Sequence, residues 1–471
     1  MKRCAVQSVL LAAMVAAWPA IASEPSPPTD ATVTVSPKRF GLDVAPGAVS
    51  AGRDRRVLTA DEDGGAVVAR VHVQVGPTLI VMLPDGRLVA RGEEQCSPTE
   101  RPFEAIGMDQ LAQRLGDGEF AGWRTRHTRR YLYVYNCSDT FIEVASRVLE
   151  TMFRGIGFYA QAQKIEVAAP EFPLVVVVFG TQKEFKKYQQ MTDGVVAYYD
   201  LLTNRVLMCE ESDLWEVKQE LAIRQSIATI AHEGAHQVLH NIGVQQRLSL
   251  WPMWLNEGLA EFFAPTSTDR RLKWKGVGEV NDLRMFELEQ LIKSRAPDKA
   301  DGQLVAQTVG AARLTSTGYA MAWALTHYLA DRQRESLAEF VRAMSHRGPL
   351  CGGGEVVSPG VIPGNLRDFK QYFGEDLADI ERRVMLHLCR LPYQDPFADW
   401  PHFVAFVQLP NGGNPRRQAE VFHLPLQAKR WCDALLATLP AEQRELAKSE
   451  VREFSNRAEA EQTAHRWLQG P

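Results

Sequence analysis

Between about residues 217 and 242 the chain carries one long helical pattern with polar and apolar residues on opposite sides, and this limits the fold more than any other feature. At about 100° per residue, Ile223, Ile227, Ile230, Gly234 and Val238 share one stripe, and His232 and His236 lie opposite it. Such a helix must pack its stripe on a core, and Gly243 is placed to end it. The two histidines are one turn apart, so their rings can converge on one ion at about 2.0–2.1 Å from each nitrogen. Glu233 lies between them in angle, where its carboxylate can reach a water on that ion. The pattern is H-E-x-x-H on a helix.

Two ligands from one helix require a third from elsewhere. An extension of the motif along the same helix would place glycine at 239 and histidine at 242, but the residues there are Leu239 and Ile242. His240 is one turn too far along to share an ion with both other histidines, which leaves it a structural or ligand-orienting role. The segment WLNEGLAEFF, residues 254–263, places Glu257 and Glu261 on one side and Leu255, Leu259, Phe262 and Phe263 on the other. A short turn through Leu250, Trp251 and Pro252 would bring this second helix back antiparallel, with Glu257 facing the imidazoles. Glu261 either steadies His232 or His236 through a free ring nitrogen or is an exposed helix carboxylate.

Upstream, the apolar periodicity gives a strand at 131–135 and a helix capped by Ser138 or Asp139. A buried strand (LVVVVF, 174–179) and a short amphipathic helix follow, then a hairpin from GVVAYYD (194–200) and RVLMCE (205–210). The order is strand, helix, strand, helix, hairpin, long helix. A small antiparallel β region is expected over 61–124, a linker over 23–60, and a helical region over 346–471, with LPNGGNPRR near Asn411 as a surface loop. At 471 residues, two or three domains are expected.

Lys2 and Arg3, the apolar run Val9 to Ala17, and Ala20-Ile21-Ala22 have the order of a secretory signal peptide over residues 1–22, predicting an exported protein, periplasmic or secreted. No other segment has the 18 or so consecutive apolar residues of a spanning helix, so no stable membrane insertion is expected after cleavage. Six cysteines would then remain, Cys96, Cys137, Cys209, Cys351, Cys389 and Cys432, an even number that suits disulfides in an oxidising compartment but fixes no pairing. Buried free thiols are the alternative. The formal charge is −4, and the one basic run, Arg124 to Arg130, reads as a solvated strand end, so no nucleic-acid partner is expected.

HEGAH at 232–236 followed by NEG at 256–258 resembles the gluzincin metallopeptidases. The strand order, the phrase GVVAYYDLLTNRVLMCE and GYAMAWALTHYL at 318–329 look like a bacterial family of unknown function, number 1570, over roughly residues 125–390. The resemblance implies an α+β, zincin-like catalytic domain over 125–345, with a small mixed sheet and an active-site helix. It also implies one Zn2+ per chain on His232, His236 and Glu257, with Glu233 activating water. Some members stabilise the oxyanion with a tyrosine on a later helix. Tyr319 occupies a comparable setting, although Trp323 and Thr326 share its face and packing explains it equally; His327 is a weaker alternative.

Gluzincin aminopeptidases carry a glutamate in a G-x-M-E-N strand, whereas the corresponding GVVAYYD has none, which disfavours that activity; Glu210 and Glu211 end the neighbouring strand. Strand 194–200, with Tyr198 and Tyr199, could still pair with an extended peptide or protein substrate. The expectation is a zinc endopeptidase. Its alternatives are a zincin-fold binding or envelope-maintenance protein without turnover, and hydrolysis of a non-peptide amide.

Overall fold

The computed structural model describes residues 33–61, 64–188, 195–211, 219–267, 272–352, 354, 356–357, 360–410 and 416–470; the signal peptide expected at 1–22 and residues 411–415 of the surface loop expected near Asn411 lie outside them. They form two compact units, one ending at Leu391 and one running from Pro392.

The first unit begins with β1 (Val33–Thr34) and a sheet of β2 (Val49–Ala51), β3 (Arg56–Ala60), β4 (Ala66–Val75), β5 (Thr78–Met82), β6 (Leu88–Gly92) and β7 (Ser97–Pro98). Its order is β6-β5-β4-β3-β7, with β2 also on β4. The stretch expected as a linker therefore contributes β2 and β3. Val57 and Thr59 of β3 alternate inward, a signal too short to stand out from a proline- and serine-rich approach.

Helix α1 (Met108–Asp117) leads into the central sheet of β8 (Arg124–His127), β9 (Tyr131–Tyr135), β10 (Leu174–Phe179), β11 (Ala197–Asp200) and β12 (Arg205–Cys209). The order is β11-β12-β10-β9-β8. β9, β10 and β12 run parallel, while β8 and β11 are antiparallel edges. Helix α2 (Asp139–Ala162) connects β9 to β10 after an N-cap in which Ser138 accepts from the Phe141 N–H, and α3 (Gln182–Tyr188) follows β10. β10 is buried along its whole length because both faces are covered. Leu132, Val134, Val175, Val177 and Leu207 pack with Leu111, Leu115 and Phe185 on one face. The alternate residues face the other side, where α4 (Gln219–Asn241) lies against β11 and β12. Gln237 ties that helix to the sheet, donating 3.0 Å bonds to the carbonyls of Val175 and Asn204.

α5 (Met253–Phe263), α6 (Asp282–Ser294), α7 (Gln303–Gly310), α8 (Ser316–Arg332), α9 (Arg334–Ser345), β13 (Cys351–Gly352), α10 (Pro363–Phe373) and α11 (Leu377–Leu388) complete the unit. β13 pairs with β1, tying residue 33 to residue 352. Cys96, Cys137, Cys209, Cys351, Cys389 and Cys432 are free thiols.

The second unit is not the helical region expected. β14 (His402–Leu409), β15 (Arg416–Phe422) and β16 (Lys448–Phe454) form an antiparallel sheet with β14 central; α12 (Pro425–Ala437), α13 (Ala441–Leu446) and α14 (Arg457–Gln469) accompany it. Ala405 and Val407 pack toward α12, Val404 and Phe406 toward α14. Covered on both faces, β14 is apolar without alternation, and such a run cannot be told from a buried helix by period. The molecule is thus mixed α+β with several small sheets.

Candidate metal centre

α4 passes close under α2 because residue 234 has no side chain: a Cβ there would stand 2.3 Å from Leu149 Cδ2. It ends at Asn241, and Gly243 follows at φ +84°. Glu257 of α5 meets both histidines, and Glu261 meets only the earlier one, so the two helices run in opposite senses. His232 Nε2 lies 3.1 Å from Glu257 Oε2 and His236 Nε2 lies 3.3 Å from the same oxygen, with 3.3 Å between the two nitrogens. The group is buried: His232 is 2 % exposed, His236 and Glu257 8 % each.

These separations match one ion. Ligand atoms at about 2.05 Å from a tetrahedral centre stand about 3.3 Å apart. Glu261 Oε1 lies 2.9 Å from His232 Nδ1, which leaves Nε2 as the ring atom turned toward His236 and Glu257. Burial lowers the affinity of His232 for a second proton, but Glu261 and Glu257 outweigh it and raise the ring well above its ordinary value. Burial raises Glu257 and the histidines more than offset it, holding that carboxyl far below the usual range. His232, His236 and Glu257 could hold a metal ion.

Glu233 is buried beside these donors, its Oε2 accepting from the Tyr199 N–H at 2.8 Å. Burial pushes its carboxyl above the ordinary value, and the neighbouring histidines oppose this. Tyr319 of α8 stands beside His232, ring centroids 6.3 Å apart, and burial raises its phenol.

Glu261 is no exposed helix carboxylate; it is 3 % exposed. Its Oε1 accepts from Arg284 Nη2 at 2.5 Å and its Oε2 from Asn281 Nδ2 at 2.9 Å. Burial raises its carboxyl, but Arg284 and His232 bring it down to about 2. His240 turns away, its Nδ1 3.1 Å from the Gln245 carbonyl and its ring stacked on Tyr199. His327 belongs to a different cluster, between His387 at 2.8 Å and the Gly278 carbonyl at 3.0 Å.

The tyrosine side chains of β11 do not line the donors. Tyr198 packs in the core on the opposite face with Phe185, and the Tyr199 hydroxyl donates to Asn204 Oδ1 at 2.7 Å. What β11 brings to the site is the Tyr199 peptide N–H. Glu210 and Glu211 serve helix starts: Glu210 receives the Ser138 N–H and hydroxyl at α2, and Glu211 the Gln182 N–H at α3.

Sequence reasoning missed Asn281, Arg284 and that N–H. Asn281 was detectable as an N-cap, its Oδ1 accepting from the Arg284 N–H, but no local pattern marks a buried arginine or assigns work to a main-chain group. No curated protein matches the chain. Residues 226–351 match the family described as protein of unknown function (DUF1570), a segment that contains all three donors, Glu233 and Tyr319, and the match supports placing this part of the chain in that family.

Proposed function

We propose that the protein is an exported zinc-dependent metallopeptidase, with His232, His236 and Glu257 holding one Zn2+ and Glu233 acting as general base. The observation that carries this reading is a buried carboxylate, Glu233, beside a group that, among the described residues, has three donors rather than four. A structural zinc is ordinarily closed by four protein ligands, whereas three leave a position for reactants. An ion bound there would supply Lewis acidity, polarising a carbonyl and acidifying water. Glu233 has one oxygen fixed by the Tyr199 N–H; the other takes a proton from water and later returns it to the departing amine. The Tyr319 ring beside His232, centroids 6.3 Å apart, supports a role for its hydroxyl as donor to a developing oxyanion.

β11 is the outer strand of its sheet, which suits an extended peptide adding alongside. The Tyr199 N–H is committed to Glu233, so main-chain pairing with a peptide falls to the residues before it. The charged, apolar and small-residue order of residues 1–22 supports export, and among the described residues no helix is long and apolar enough to cross a membrane.

A second reading, a zincin-fold binding or envelope-maintenance protein, is favoured by the near-complete burial of the donors. Metal content of the purified mature chain, together with cleavage of a mixed peptide library by wild type and Glu233→Gln, separates the two. Peptidase function predicts about one equivalent of zinc in both proteins and cleavage only by wild type. Zinc in both without cleavage supports the binding protein, and an absence of metal removes both readings.

A further inference from the structure

We propose that Arg284, on a helix that carries none of the motif residues, is a positioning residue for the candidate metal centre, orienting His232 through Glu261 and anchoring the turn that carries Tyr319. The inference rests on the metal-centre reading above. Arg284 is 2 % exposed, and its guanidinium stands between two carboxylates. On one side Nη2 donates to Glu261 Oε1 at 2.5 Å, the oxygen that lies 2.9 Å from His232 Nδ1. Asn281 Nδ2 holds the other oxygen of Glu261 at 2.9 Å. With both oxygens engaged, the carboxylate cannot rotate away from the imidazole.

On the far side Nη1 donates to Glu287 Oε2 at 2.8 Å, and Glu287 Oε1 accepts from the Ser316 hydroxyl at 2.9 Å. Ser316 opens α8 and precedes Tyr319 by less than one turn. The guanidinium carbon itself lies 5.6 Å from the Tyr319 ring centroid. One planar fork therefore spans from a metal-donor histidine to the segment bearing the candidate oxyanion donor. A lysine ammonium has the charge but cannot present two parallel edges at once.

The test is the dissociation constant of Zn2+ alone, measured by competition with a chelating dye, on wild type, Arg284→Met, Glu261→Gln and the double variant. Loss of a partner that orients a ligand weakens metal binding about tenfold to a hundredfold, and Arg284→Met should do so. Because the arginine acts through Glu261, its substitution should add less than about threefold in the Glu261→Gln background. A general packing role would instead give losses that multiply. Arg284→Lys should recover part of the affinity. Multiplying losses, or a folded Arg284→Met within about twofold of wild type, overturns the inference. If Arg284→Met does not fold, Arg284→Lys carries the same cycle with the same criteria. Wild type that takes up no Zn2+ overturns the metal centre itself, a separate failure.

Discussion

Replacing Gly258 by alanine tests whether the spacing of α5 and α8 sets the donor geometry. A Cβ at Gly258 would stand 2.3 Å from Thr326 Oγ1 and 2.6 Å from the Ala322 carbonyl oxygen. The hydroxyl can turn aside, but the carbonyl is part of the α8 main chain. Restoring ordinary contact at 3.4 Å from the carbonyl requires 3.4 − 2.6 = 0.8 Å of separation. Glu257 is the preceding residue and moves with that backbone, while metal–ligand distances tolerate only about ±0.2 Å. Overpacking of this kind costs about 1–3 kcal/mol. At about 2–4 °C per kcal/mol, the Tm of the metal-free protein should fall by several degrees. Zinc affinity should fall by at least about tenfold. Thermal unfolding with and without zinc, together with a chelator competition, measures both. Adding Thr326→Ala should not restore either quantity, because the carbonyl remains. A Gly258→Ala protein within about 1 °C and twofold of wild type would refute the argument that close helix approach places Glu257.

Gly234→Ala makes an instructive contrast, because the atoms its Cβ would meet are Leu149 Cδ2 at 2.3 Å and Met152 Cε at 3.1 Å, both ends of flexible side chains. Its unfolding free energy should drop by only about 1 kcal/mol, and a loss exceeding that of Gly258→Ala counts against this distinction. His72 is half-buried with Nε2 2.8 Å from the Arg247 carbonyl, and desolvation lowers its pKa to about 4 although that bond opposes it. The unfolded chain takes up this proton first, so stability is lost as pH falls from about 6.5 to about 4, by up to about 3 kcal/mol from this group. Urea unfolding at pH 7 and pH 4 should show a shallower acid loss in His72→Gln, and an unchanged loss contradicts the assignment. A chain ended at Leu391 retains the whole first unit and should bind zinc with wild-type affinity; weakening beyond about threefold by chelator competition would count against this.

The donors were legible because their spacing is local. Two histidines one turn apart and a glutamate opposite an apolar stripe announce themselves, as does the hairpin of β11 and β12. The exposure of their surroundings was not legible. α4 reads as a helix with one polar side, yet α5 covers that side and the histidines are buried, so polarity there marks a lined interior. Glu261 read equally well as a surface residue because its partners, Asn281 and Arg284, lie 20 and 23 positions away with no shared period. Tyr198 and Tyr199 attracted attention as side chains when the contribution of β11 is a peptide N–H. In β14, burial on both faces erased the alternation that would have distinguished strand from helix.

His232 and Glu257 are only 25 positions apart, and the hairpin of α4 and α5 brings all three donors together without help from the sheets. Closing so short a loop costs little chain entropy compared with pairing β1 and β13, which joins residues more than three hundred positions apart. During folding, the hairpin that carries the three donors can therefore form while distant strands are still unpaired, and any metal captured at that stage would bias the chain toward its native topology. The clamp from α6 and the tyrosine from α8 come later in the chain and would close over a centre already assembled.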